Sequence, residues 1–188
     1  FCFLLRDNYH DILKDCFQTM QLFGSKVAFL PLGGSGKDWQ QEGCAAYLQM
    51  VSRLRTAGEM AKQEGITIGI RTGMGAKFDK KLLKKVGSSQ IKVYYNFQDA
   101  ADHHRDICKE LRKLGAQRIV QIHASNTDSV NLQEDPEINL PKIRKTLDKM
   151  KWSGWLVVER SRDVKRVRDV KYNFGRNIAY LKQVFQEW

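Results

Sequence analysis

The stretch RIVQIHASN (118–126) is an apolar, β-branched run that closes on a histidine and then turns polar. A second run, WLVVERSRD (155–163), has the same form and closes on a glutamate. Neither alternates apolar with polar residues, which is how strands covered by helices on both sides of a parallel sheet read. Between them lies LPKIRKTLDKM (140–150), apolar at helical spacing and with Pro141 suited to a first turn. The segment therefore spells strand, helix, strand, with one chemically competent side chain at the end of each strand.

The same alternation continues outward. Residues 9–22, 45–64, 79–87, 100–114 and 170–185 carry helical stripes; 26–30, 66–70 and 91–97 are short β-branched runs. Asp79 is expected to cap the third helix and Gly87 to stop it. His104 falls on the apolar stripe of 100–114 and is expected to be packed, with His103 turned to solvent. Trp152 and Trp155 are expected to pack against a helix. Strand starts recur at about 25 to 40 residues, the pitch of successive βαβ units, and no linker interrupts them, so residues 1–188 read as one domain. Two architectures fit: an open doubly wound sheet, or part of a (β/α)8 barrel. Five strands suit the open sheet, because a complete barrel needs eight strands and about 250 residues. Both place ligands at the C-terminal ends of the strands.

A hydrophobic content of 42% with 28% charged residues is that of a soluble globular chain, and no segment reaches the roughly 18 unbroken apolar residues of a membrane helix. The start, FCFLLRDNYH, has neither a basic leader nor an initiator methionine, and reads as processed, trimmed or incomplete. The formal charge of +11 suits a nucleic-acid partner. The lysines and arginines are spread over several helices, though, as in KKLLKK (80–85) and KIRKTLDKMK (142–151), and there is no basic tail. They are therefore expected on outward helix faces. Cys2, Cys16, Cys44 and Cys108 lack zinc spacing, and Cys108 is expected as a small hydrophobe on a helix stripe. Cytoplasmic residence is expected, or a secreted or periplasmic one if an N-terminal segment precedes the chain.

The residues that close four successive strands are Arg71, Asn96, His123 and Glu159. His, Glu and an amide oxygen can ligate a divalent metal, and His123 with Glu159 could equally be a base and its partner. Taken singly, each is a hydrogen-bonded strand cap; four in a row point to a site. GGSG (33–36) before Lys37 lacks the spacing of a phosphate loop and reads as a loop. Asp128, Glu134, Asp135 and Glu137 place an acidic loop on the same rim as His123, shaping a pocket or simply solvated.

QEGITIGI, IKVYYNF, RIVQIHASNTD, LPKIRKTLDKMKWSGWLVVERSRD and NFGRNIAYLKQVF together resemble the sugar phosphate isomerase/epimerase family, whose members look like xylose isomerase. The resemblance runs from about residue 9 to the end. It implies a partial (β/α)8 TIM barrel, approximately strands 4 to 8 with their helices, the first three strands lying in the same or another chain. It implies a small-molecule carbohydrate substrate and a divalent metal (Mn, Mg, Co or Zn), and makes nucleic acid the lesser partner. In the family the metal is held by a glutamate, an acidic residue, a histidine and a glutamate closing the fifth to eighth strands, and the glutamates move a proton between neighbouring carbons. By motif, Asn96, His123 and Glu159 take the last three places, and Arg71 stands where the first glutamate belongs. The resemblance thus implies Glu159, His123 and Arg71 as catalytic residues and Asn96, His123 and Glu159 as metal ligands. A cation at Arg71 implies that metal binds weakly or not at all and that isomerase or epimerase activity is impaired. The alternative it leaves is a non-catalytic homologue or binding subunit with a degenerate metal site.

Overall fold

A computed structural model describes residues 4, 6–32, 37–125 and 128–186, so the GGSG stretch and Cys2 lie outside the described residues. The chain divides into two compact units, Phe1–Tyr94 and Tyr95–Trp188.

The first unit opens with α1 (Tyr9–Leu22), followed by β1 (Val27–Pro31), a 3-10 turn at Lys37–Gln40, α2 (Ala45–Gln63), β2 (Thr67–Arg71), α3 (Ala76–Val86) and the start of β3 (Ile91–Asn96). The strands are parallel, with Val27 opposite Thr67, Pro31 opposite Arg71, and Ile68 opposite Ile91. Pro31 can end β1 in this way because it has no N–H to place in a ladder. The α2 stripe of Tyr47, Met50, Val51, Leu54, Ala57 and Ala61 is buried, as its spacing predicts, and Gly58 is buried beside it. Gly58 is there for closeness: a Cβ would sit 2.3 Å from the Ser88 Oγ. Trp39 is also buried, 2% exposed.

α3 starts earlier than its sequence suggests. Gly75, at φ 86°, occupies the cap position, which leaves Asp79 inside the first turn. There Asp79 is buried and accepts the Thr72 hydroxyl, so it fastens the turn leaving β2 instead of capping. Gly87 does end the helix in the left-handed conformation. The lysines of α3 lie on its exposed face, as expected.

The second unit carries the end of β3, α4 (Phe97–Ala101), α5 (Ile107–Leu114), β4 (Ile119–His123), α6 (Leu140–Lys149), β5 (Leu156–Val157) and α7 (Val170–Phe185). β4 and β5 are parallel, with Ile122 opposite Leu156 and His123 opposite Val157. The stretch read as one helix over 100–114 is two. The Arg105 guanidinium and the His103 ring both reach the Asp99 carbonyl, at 2.7 and 2.8 Å, and so consume an acceptor that a continuing helix would need. His104 then turns the chain at φ 50° and is exposed, correcting its expected burial, while His103 is exposed as expected. Asp106 restarts the helix by accepting from Lys109 N at 2.9 Å. Cys108 is buried on the α5 stripe, as expected.

β5 is shorter than predicted, two residues instead of four, and Trp155 just before it is 73% exposed instead of packed. Trp152 does anchor: its indole N–H donates to the Ile119 carbonyl at 3.0 Å, tying the end of α6 to the start of β4.

Candidate functional site

His123 is the last residue of β4 and is buried. Asn96, the last residue of β3, is buried beside it, its Nδ2 3.5 Å from the His123 Nδ1. Glu159 lies two residues past β5, half exposed, and brings Oε2 to 3.4 Å from the same Nδ1. The second unit thus assembles three of the four strand-end residues. Arg71 closes β2 in the first unit, half-buried, its carbonyl accepting from Leu32 N at 2.8 Å.

The three groups are not independent. Nδ1 of an imidazole carries either a proton or a lone pair. With a proton it can donate to Glu159; without one it can accept from Asn96. It cannot do both, so the amide and the carboxylate compete for one atom.

Asn96 also serves as the N-cap of α4, its Oδ1 accepting from Gln98 N at 2.8 Å. That bond settles the orientation of the amide: oxygen to the helix, NH2 to the histidine. A divalent cation shared with His123 and Glu159 needs the opposite, an oxygen turned to the histidine. Among the described residues, no three His, Cys, Asp or Glu side chains come together as a donor set. One carboxylate, one imidazole and an amide presenting its hydrogens do not fit a hard divalent metal.

The acidic loop after His123 is held by arginine partners that spacing alone does not assign. Asp128, in the segment leaving β4, accepts both oxygens' worth of bonds from Arg162, at 2.8 and 2.7 Å, and another from Arg160. The Arg162 guanidinium, and Arg160 after it, hold the Asp128 carboxyl well below the usual carboxylate range. Between the two arginines sits Ser161, buried and at φ 139°, a backbone conformation that L side chains rarely adopt. Asn177 of α7 donates to the Ser161 carbonyl at 2.6 Å and accepts from Leu132 N at 2.8 Å. Glu134 pairs with Arg176 at 2.8 Å, and Asp135 accepts from Glu137 N at 2.8 Å. The acidic loop is therefore fastened by arginines and by its own turns. The pattern R-S-R after Glu159, together with an acidic loop after His123, was the available signal, but nothing in a linear spacing pairs residues 128 and 162.

The sequence matches the family described as xylose isomerase-like TIM barrel over residues 4–184. No curated protein matches. Among solved structures, D-psicose 3-epimerase with D-tagatose from Clostridium cellulolyticum H10 superposes with a TM-score of 0.77 at 14% identity, over 95% of this chain and 70% of that one. A xylose isomerase domain protein from Planctomyces limnophilus gives 0.74 at 14% identity, over 93% and 66%. An AP endonuclease of family 2 from Brucella melitensis gives 0.72 at 15%, over 92% and 70%. At such identities the likeness shows the fold: an α/β partial TIM barrel, which overturns the open doubly wound sheet. The chain spans about two thirds of the length of these structures.

Proposed function

The chain belongs to the xylose isomerase-like TIM-barrel family, and from that premise we propose that it acts on a small carbohydrate, a sugar or polyol, as an isomerase or epimerase that works by proton transfer at carbon. The observation carrying this reading is the Glu159 carboxylate at 3.4 Å from the buried His123 ring. A carboxylate at the rim can take a proton from a carbon beside a carbonyl, leaving an enediolate, and return it. His123 is its partner: Nδ1–H holds the carboxylate in place, and the other ring nitrogen, which then carries a lone pair, takes the substrate hydroxyl proton and passes it to the former carbonyl oxygen.

Arg71 takes its part by rank among the strand ends. Its guanidinium stays protonated, so it cannot be a second base; it suits an enediolate oxygen, a carboxylate or a phosphate on the substrate. One base has a stereochemical consequence. Returning a proton to the opposite face of the same carbon needs a second carrier, whereas shifting it along one face from carbon to carbon needs only one. Aldose–ketose isomerisation therefore fits Glu159 better than epimerisation. We further propose that residues 1–188 form a single domain of this family, since the match runs unbroken from 4 to 184.

A second reading is supported by Asn96, whose oxygen is spent on Gln98 N–H. A site converted from ligation to structure would bind sugar without turning it over, as a non-catalytic homologue. Incubation of parent and E159Q with ketoses and aldoses in D2O, followed by proton NMR, separates the two. Deuterium entering the sugar with the parent and not with E159Q supports the enzyme. Equal, background exchange with both, alongside calorimetric sugar binding, supports the binding protein.

A further inference from the structure

Glu159 leaves β5 on a segment that the strand ladder does not hold. β5 ends at Val157, and its last ladder bond runs from Ala124 N to the Val157 carbonyl at 2.8 Å. What fixes the path beyond is side-chain chemistry. Arg160 and Arg162 stand on either side of Ser161 and both reach the carboxylate of Asp128. Asn177 holds the Ser161 carbonyl, and Val164 N donates to the Ser129 carbonyl at 3.2 Å. Asp128 lies five residues past His123, so one carboxylate joins the exit of the histidine strand to the exit of the glutamate strand. A loop needs no strained residue merely to turn back. Ser161 at φ 139° persists only where its neighbours over-determine it; Asn177 holds its carbonyl and the two arginine contacts with Asp128 hold either flank.

We propose that Asp128 is a positioning residue: through Arg160 and Arg162 it sets the chain on which Glu159 is carried, and so holds the Glu159 carboxylate against His123. This rests on the reading of Glu159 and His123 as the working pair. Arg162 meets Asp128 through a two-bonded fork, which fixes direction as well as distance, whereas a loosely held carboxylate on a rim loses much of its reactivity when displaced by even an ångström.

The imidazole nitrogens of His123 report the contact without substrate. Long-range 15N NMR spectra, with His123 assigned by its loss in H123N, are recorded for the parent, E159Q, D128N and R162K; circular dichroism checks each fold. E159Q should displace the Nδ1 resonance. D128N should displace it in the same direction and most of the way, and R162K, which keeps the charge but lacks the fork, should do so in part. A merely structural staple would lower thermal stability and leave that resonance where it is in the parent. D128N and R162K both at the parent position, with E159Q displaced, overturns the proposal. E159Q itself at the parent position removes the working pair, and the role of Asp128 falls with it. If D128N does not fold, R162K decides alone.

Discussion

Asn96 gives its oxygen to a helix and turns its NH2 group toward a histidine, and that orientation has a chemical remedy. Aspartate is as good an N-cap as asparagine. N96D should keep α4 capped while turning an anionic oxygen toward His123 and Glu159. Calorimetric titration with Mn2+ is expected to show a gain of about tenfold or more over the parent, since affinity follows the charge count of the ligands; no gain would mean the amide was never the obstacle. Asp128 makes a prediction in acid. Its folded carboxyl is held below the ordinary value, first by Arg162 and then by Arg160, so the unfolded chain takes up the proton first. The stability it contributes is complete above the ordinary range near pH 4 and is lost as pH falls below it. The gap in melting temperature between the parent and D128N should hold at neutral pH and close in acid; a gap that widened there would reverse the sign. At this scale the sequence placed His123, Glu159 and Asn96 through the apolar runs that end on them. It missed the Asp128 clasp because a contact 34 residues apart in sequence depends on where two irregular loops meet.

α2 and the turn after α3 meet at Gly58, where closeness replaces a side chain. G58A should therefore destabilise the protein by about 1–3 kcal/mol through overpacking, and adding S88G should restore part of it; calorimetric melting of the three proteins measures both. If G58A melts with the parent, the fit there is looser than the distance says. Elements of this kind were legible wherever burial set the pattern. The stripes of α2 and α6 and the parallel strands β1 to β4 follow directly from apolar spacing, whereas α1 buries Phe17 and leaves Leu22 exposed, and α7 buries Asn173 and Asn177 with Leu181 and leaves Val170 and Ile178 exposed. What escaped were the ends. Asp79 looks like a cap until Thr72 claims its carboxylate, and residues 100–114 look like one helix until Arg105 and His103 take the Asp99 carbonyl. Both depend on a side chain reaching backbone or side chain outside the repeating pattern, which periodicity cannot register. β5 shrank for a related reason: WLVVE has the composition of a full strand, but the chain past Val157 is directed by Arg160 and Arg162 instead of by ladder bonds.

Over the whole molecule the basic excess is large, with a formal charge of +11, while the lysines of α3 and α6 that contribute to it lie on exposed faces. Spread charge of this kind attracts phosphate without reading it. Binding to a fluorescent DNA duplex should be weak and should vanish between about 50 and 200 mM salt, as counterion release requires; fluorescence anisotropy measures it, and tight binding that survives the higher salt would favour nucleic acid over sugar. No helix among the described residues is long and apolar enough to cross a membrane. The tryptophans, finally, divide between the two compact units. Trp39 is sealed in the first at 2% exposure, and Trp152 and Trp155 belong to the second, the latter 73% exposed. A sealed indole emits toward the blue and a wetted one toward the red, so the protein carries its own two-colour optical gauge. In a W39F background all remaining emission comes from residues 95–188, and iodide, which reaches only wetted rings, should quench most of the Trp155 share before any denaturant is added. Whether each half melts by itself or both together can then be followed by colour, with no added dye.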